Sequence, residues 1–272
     1  MTVLTKLAWL TAGLVLGWSG QVLADDLAKA SQNPVGDLIS VPFELSYFGD
    51  MPGESSAALL LAKPVYPINL GGVNLVNRLI VPYAWVDANL SRLTLGTDTI
   101  PAEDLNRNGL GNVQYQGFLT SASPGKIIWG LGPVLEMPTN TNDLGPDKWS
   151  AGPAAVLLAM PGNWVFGILA QNLWSFAGSD SADEINKLTV QYFINYNLPN
   201  GWFLTSSPII TADWTEPSDN RWTVPVGGGI GKLTRFGKQP VNLTLKAYKN
   251  VTHPDSGPEW SVFAGISFLF PK

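Results

Sequence analysis

Apolar and polar residues alternate along several stretches of this chain. Within 185–197, every second residue from Leu188 to Tyr196 is apolar, whereas Lys187, Thr189 and Gln191 fall on the opposite face. The stretches 241–251 and 260–270 repeat this pattern. A period of two residues with one apolar and one polar face is typical of a half-exposed β-strand.

The whole chain, read in this way, contains twelve candidate strands of 11–13 residues. Strands of soluble proteins average about 5–6 residues, whereas about 9–11 are needed to cross a bilayer obliquely. The lengths and the even number predict an all-β fold, an antiparallel up-and-down transmembrane β-barrel. The predicted strands are 35–47, 57–68, 75–87, 111–122, 127–138, 149–160, 164–175, 185–197, 202–214, 221–233, 241–251 and 260–270.

The connections between these strands alternate in length. Short ones occupy 123–126, 161–163, 198–201 and 234–240, and longer polar ones occupy 88–110, 139–148, 176–184, 215–220 and 252–259. Outer-membrane barrels have short periplasmic turns and longer external loops. With both termini in the periplasm, all of the short connections fall on the periplasmic side.

Tryptophan residues lie at or near the ends of the predicted strands. Such placement predicts two aromatic girdles at the two membrane–water interfaces. The predicted girdle consists of Trp85, Trp129, Trp149, Trp164, Trp174, Trp202, Trp214, Trp222 and Trp260.

Prolines inside the predicted strands conflict with a regular ladder, because proline has no N–H group to donate and a closed barrel has no edge strand. We expect these prolines to lie at bulges, or the strands to be shorter than the predicted ranges. These residues are Pro42, Pro64, Pro82, Pro133, Pro153, Pro208 and Pro225.

Composition narrows the class of protein. Charged residues make up 14% of the 272 positions, well below the roughly 25% typical of a soluble domain. The formal net charge of −5 argues against a nucleic-acid partner, which requires a basic face. The chain has no cysteine, so disulfides and thiolate chemistry are excluded.

The first residues have the features of a secretory signal peptide. Lys6 precedes an apolar run over 7–18, and Val22-Leu23-Ala24 offers small residues before a cleavage site after Ala24. An uncleaved inner-membrane anchor is the alternative, but the apolar run is short for one. We therefore expect a signal peptide over 1–24, a short periplasmic segment over 25–34 and a barrel over 35–272, located in the outer membrane of a Gram-negative bacterium.

Two features of the sequence resemble functional motifs but lack the residues that those motifs require. The run Gly227–Lys232 resembles a phosphate-binding loop, but Val226 stands where the first glycine belongs and Leu233 where serine or threonine belongs. His253 is the single histidine and lies in a predicted external loop, so it cannot build a multi-histidine zinc site. The sequence thus predicts no catalytic residue, no metal and no cofactor, although a hydrolase based on His253 stays an alternative.

Alternation assigns one set of residues to the lumen. The set mixes charges of both signs with aromatic residues, which favours a narrow path for partly apolar solutes without strong ion selectivity. The alternative is that these side chains simply pack and fill the interior. The candidates are Glu44, Arg78, Gln114, Gln116, Phe118, Glu136, Lys187, Gln191, Phe193, Phe203, Asp213, Asn242, Thr244, Lys246 and Tyr248.

Several runs of residues match those of a known protein family: 28–36, 149–153, 172–178, 195–199, 202–229, 237–242 and 268–272. The chain therefore resembles a family of proteobacterial outer-membrane transporters of the phenol-degradation meta-pathway type, often mislabelled "neuromedin U". The resemblance implies an outer-membrane β-barrel that takes up small, aromatic compounds, and it brings no catalytic residues with it.

The predicted function is passive, porin-like passage of small, partly apolar molecules without covalent chemistry. A structural or adhesive barrel that acts through its external loops is the alternative. The expected partners are the solute, outer-membrane lipid and lipopolysaccharide, and the barrel-assembly machinery, which would engage the C-terminal strand.

Overall fold

The structure, a computed structural model, describes residues 26–51, 55–88, 92–95, 98–101 and 105–271. It is a closed antiparallel barrel with twelve strand positions. The first strand closes the wall by pairing with the last one, from Ile39 opposite Phe270 to Gly49 opposite Trp260. The all-β, up-and-down barrel predicted from alternation is therefore confirmed.

The strands are β1 (Ile39–Met51), β2 (Ser55–Ala62), β3 (Val65–Asn69), β4 (Val73–Ala88), β5 (Arg92–Leu95), β6 (Asp98–Pro101), β7 (Leu105–Leu110), β8 (Val113–Ser121), β9 (Ile127–Met137), β10 (Lys148–Ala159), β11 (Trp164–Gly178), β12 (Asn186–Asn197), β13 (Trp202–Ser206), β14 (Ile209–Asp213), β15 (Trp222–Phe236), β16 (Gln239–Thr252) and β17 (Trp260–Phe270).

Three positions in the wall are each made of two strands in line: β2 with β3, β7 with β8, and β13 with β14. The hairpin of β5 and β6 forms a separate two-stranded sheet in the long loop predicted over 88–110. The first strand, predicted over 35–47, instead runs from Ile39 to Met51.

The interior prolines coincide with irregularities of the ladder. Pro64 separates β2 from β3, and Pro208 separates β13 from β14. Pro225 lies at a register shift between β15 and β16. Beside Pro82 the partner strand is interrupted, and the carbonyl of Pro82 accepts a bond from the N–H of Gly111 at 3.0 Å. These four residues therefore satisfy the expectation of bulges and shortened strands.

The other three prolines keep one regular neighbour each. Pro133 and Pro153 face each other across β9 and β10, while the ladders on their other sides lack pairs at 117–118 and 152–153. Pro42 pairs with Ser267 of β17, and on its other side its carbonyl accepts a bond from the N–H of Lys63 at 2.8 Å. A missing N–H is thus accommodated by an interruption on one side of the strand only.

The outer surface of the wall is apolar over most of its height. Outward positions such as Leu45, Leu131, Leu157, Leu204 and Leu245 are exposed, whereas their sequence neighbours face inward and are more buried. An exposed apolar band on every side of a closed barrel is the surface expected against lipid.

Tryptophans border this band at both ends. Seven of the nine predicted girdle residues are exposed, namely Trp85, Trp129, Trp149, Trp164, Trp174, Trp202 and Trp214, and Trp222 and Trp260 are half-buried. The indole N–H of Trp260 donates to Asp50 Oδ2 at 2.8 Å, and Lys232 Nζ lies 4.6 Å from the centre of the Trp202 ring. An apolar ring beside a polar partner suits a membrane–water interface.

A short helix, α1 (residues 26–31), lies inside the barrel at the end where the chain termini meet. Ala28 is buried in a cluster with Leu38, Leu233 and Leu269. Asn242 Nδ2 donates to Ser31 Oγ at 3.1 Å. Residues 30–34, which belong to the predicted N-terminal segment, line the interior of the barrel at this end.

The signal peptide predicted over 1–24 lies outside the described residues. Among the residues that are described, no helix is long and apolar enough to cross a membrane.

Candidate functional site: the barrel lumen

One side of the lumen is packed solid. Inward residues of β8 to β12 form a buried apolar cluster that includes Phe118, Val134, Val156 and Leu169. Val35, which follows α1, is 2% exposed and joins this cluster. The predicted alternative, that interior side chains simply pack, therefore describes this side of the barrel, and open space remains along the other side.

Among the described residues, two cavities occupy that space. The outer cavity, of about 1400 Å³ including open solvent at its mouth, faces the end with the long loops. The inner cavity, of about 1020 Å³ on the same basis, faces the end with the termini and is lined in part by residues 30–34 that end and follow α1. The two cavities meet at a set of shared lining residues, which we call the waist: Lys63, Arg78, Leu169, Gln191, Ser207 and Lys246.

An ion-pair cluster holds one side of the waist. Glu44 accepts from Lys63 Nζ at 3.0 Å through Oε1 and from Lys246 Nζ at 2.7 Å through Oε2. Lys246 Nζ also lies 5.3 Å from the centre of the Phe263 ring. One carboxylate thus compensates two ammonium groups, so the cluster keeps a net positive charge.

Arg78 faces the same space. In β4 the even-numbered residues point inward, as the buried Asn74, Val76 and Ala84 show. Arg78 occupies one of these even-numbered positions. Within the part of the chain that the structure describes, its Nη1 atom is buried and has no hydrogen-bond partner. Its guanidinium carbon lies 6.0 Å from the centre of the Phe118 ring, so the group rests against the packed side and borders both cavities.

A chain of amide side chains bounds the outer cavity on the packed side. Gln116 donates to Gln171 at 2.6 Å, Gln171 donates to Gln114 at 3.2 Å, and Gln114 donates to Glu136 at 2.7 Å. Because β8 and β11 are not neighbours in the wall, these bonds cross the interior. They give the cavity a fixed polar stripe.

The fifteen lumen candidates fall into five groups. The waist holds Arg78, Gln191 and Lys246. The outer cavity adds Glu44, Gln114, Gln116 and Tyr248, and the inner cavity adds Phe193, Phe203, Asn242 and Thr244. Phe118 and Glu136 are buried in the packed side, and Lys187 and Asp213 are paired across β12 and β14 at the loop end.

Sequence reasoning missed Lys63, Leu169 and Ser207 at the waist, and it missed α1. Lys63 and Ser207 each precede a proline that breaks a strand, so the alternation could not be carried through them. In β11 both faces are apolar, which hid the inward direction of Leu169. The helix has no period-two pattern that relates it to the wall.

The external loops are tied together by polar contacts. Lys148 Nζ donates to Glu184 Oε1 at 2.9 Å, and the Ser175 hydroxyl donates to the other carboxylate oxygen. The hydrogen bond from Ser175 is the larger cause, and the contact with Lys148 the smaller one, that lowers the pKa of Glu184 below its ordinary value. Between β7 and the loop after β9, Arg107 Nη1 lies 3.2 Å from Asp143 Oδ2.

The glycine run and His253, for which the sequence predicted no chemistry, have local structural roles. Gly231 lies against the Phe203 ring, where an added Cβ would come within 2.0 Å of a ring atom, so the glycine run allows close packing in the lumen. His253 Nδ1 lies 2.9 Å from the carbonyl oxygen of Pro254 in the loop after β16. Of the described residues, no three His, Asp or Glu side chains are grouped as a metal site.

A family model described as "Putative MetA-pathway of phenol degradation" matches residues 45–266. No match is found among curated proteins.

Among solved structures, the chain is similar to an outer membrane channel of Pseudomonas putida F1, with 16% identity and a TM-score of 0.61 over 88% of this chain and 97% of that one. The β domain of the Bordetella autotransporter BrkA is similar at 12% identity and a TM-score of 0.48, over 84% and 98% of the two chains. The barrel, with its apolar exterior and its exposed tryptophans near strand ends, is one of the bacterial outer membrane.

Proposed function

We propose, from the premise that this chain belongs to the MetA-pathway family of phenol degradation, that it is a passive outer-membrane channel for small, partly apolar molecules. The solute would pass through the outer cavity, the waist and the inner cavity without covalent chemistry. The family's description supports a small aromatic compound as the solute class.

The observation that carries this proposal is the composition of the open side of the lumen. Apolar residues of the outer cavity, among them Phe48, Leu59, Leu61 and Phe263, face the amide stripe of Gln114 and its partners. A solute with an apolar body and one or two polar groups can contact both walls at once. A sugar or a hydrated ion matches only the polar wall.

Passage is tested by conductance and solute flux of the purified protein. In proteoliposome-swelling assays, we expect phenyl β-glucoside to enter faster than glucose, although it is the larger solute, because its ring can contact the apolar wall. Planar bilayers should show discrete conductance steps. Protein-free liposomes are the control, and an absence of both conductance and swelling would refute a channel and leave a structural or adhesive barrel.

Export would use the segment 1–24 as a signal peptide that is removed after Ala24. The position of α1 supports this, because a free N-terminus close to residue 26 can enter the barrel without an attached membrane anchor. Mass spectrometry of the protein purified from outer membranes tests it, with Asp25 as the expected first residue. An intact mass that includes residues 1–24 would contradict cleavage.

The apolar exterior described above supports membrane lipid as a partner, and lipopolysaccharide would contact the loop end. Strand β17, which closes the wall and ends at Phe270, would be the strand that engages the barrel-assembly machinery.

A further inference from the structure

The charge of the waist differs in sign from that of the chain. The chain carries a formal net charge of −5. Among the described residues that line the two cavities, the charged ones are Glu44, Lys63, Arg78 and Lys246. Three cations face one carboxylate, so a solute that moves between the cavities passes a locally positive region.

The pairing inside this cluster singles out one cation. Both ammonium groups are bound to Glu44, at 3.0 and 2.7 Å. The guanidinium of Arg78 is in no such pair, and its buried Nη1 has no acceptor among the residues described. A buried cationic donor without an acceptor is costly in free energy, and an anionic ligand would remove that cost.

The surroundings of Arg78 indicate the shape of that ligand. The outer cavity above it is lined by Phe48, Leu59, Leu61, Ile80 and Phe263, which suit an apolar body. The planar guanidinium matches the two oxygens of a carboxylate. Gln191, also at the waist, donates to the carbonyl oxygen of Ser207 at 3.2 Å and supplies no negative charge.

We propose that Arg78 is the binding residue for the carboxylate of a small amphipathic acid, whose apolar or aromatic body occupies the outer cavity. The inference rests on the proposed channel function and specifies its solute class. The sequence predicted a lumen without strong ion selectivity. Because three cations line the waist and only one carboxylate pairs with them, we expect the lumen to favour anions instead.

The test compares benzoate with benzamide, which has nearly the same shape and no charge. Isothermal titration calorimetry of the folded protein in detergent should show benzoate binding about tenfold more tightly, the effect of one charge-assisted contact. In R78Q this preference should disappear while benzamide affinity stays the same. In R78K a reduced preference should remain, because an ammonium keeps the charge and lacks the planar fork.

Lys249→Gln is the matched control, because Lys249 is exposed and faces outward on β16. This variant removes one positive charge outside the lumen and should keep the preference for benzoate. Equal binding of benzoate and benzamide to the unmodified protein, or a preference that survives in R78Q, would overturn the proposal. If R78Q fails to fold, R78K provides the test. A preference for benzoate in R78K as large as that of the unmodified protein would contradict the role of Arg78 as the carboxylate-binding residue.

Binding and flux separate this inference from the channel function. Arg78-dependent binding of benzoate in a protein that passes no solute would refute the channel and leave the carboxylate site in place. Flux of phenyl β-glucoside with no preference for benzoate would refute the carboxylate site and leave the channel.

Discussion

Deletion of residues 27–33 is expected to raise the single-channel conductance several-fold. These residues include most of α1, which lies in the lumen and forms part of the wall of the inner cavity. The narrowest section of a pore limits its conductance, and the helix narrows the end with the termini. The deletion leaves Asp25 and Asp26 beside the proposed cleavage site, so export should continue.

Two reciprocal side-chain bonds hold Gln32, the residue that follows α1, so a substitution there is a milder variant. Gln32 Nε2 donates to Asn197 Oδ1 at 2.9 Å, and Asn197 Nδ2 donates back to Gln32 Oε1 at 3.2 Å. Each bond contributes about 1 kcal/mol. Gln32→Ala should therefore give transient openings to the conductance of the deletion variant, with the original level between them.

Both variants require proof of folding, which the shift in gel mobility on heating provides for a barrel. An exposed position in a loop at the other end, Ser181, supplies the matched control, and Ser181→Ala should leave the conductance unchanged. A folded deletion variant with unaltered conductance would show that α1 does not limit the path.

Gly132→Ala is expected to destabilise the barrel strongly. A Cβ at this position would lie 1.7 Å from the carbonyl oxygen of Gly117 and 2.8 Å from its carbon. Both atoms are main chain, so no side-chain rotation can relieve the contact, and β8 and β9 would have to separate. Overpacking of this kind costs about 3 kcal/mol.

The expected result is a lower urea midpoint for unfolding in lipid vesicles and a smaller heat-modifiable fraction on gels. Gly125→Ala is the matched control, because Gly125 lies in the turn before β9 and an added Cβ there meets nothing within 4 Å. It should unfold as the unmodified protein does. Equal stability of Gly132→Ala and Gly125→Ala would contradict the close approach of the two strands.

The sequence predicted the wall of the barrel well because strand alternation is a local property. Each outward residue faces lipid and each inward residue faces the lumen, so a stretch such as 185–197 records both environments by itself. The prolines were informative for the same reason. Pro64 and Pro208 mark the breaks that divide two wall positions into pairs of strands.

The candidate site was predicted only in part. Alternation along each strand assigned Glu44, Arg78 and Lys246 to the lumen side, where the structure places them. Alternation could not show that Glu44 pairs with Lys63 and Lys246, whereas Nη1 of Arg78 has no hydrogen-bond partner in the part of the chain that the structure describes. Those distances depend on the register of several strands at once, and a strand's own pattern does not contain them.

By itself, the sequence determined an all-β chain with twelve membrane-length strands, an apolar exterior and tryptophans at the strand ends. Only the tertiary structure decided what fills the lumen. Glu44 and Lys246 are 202 residues apart, and Ser31 and Asn242 are 211 residues apart. Such pairs meet because the pairing of β1 with β17 closes the barrel. This closure creates the waist, positions α1 and leaves Nη1 of Arg78 without an acceptor among the described residues.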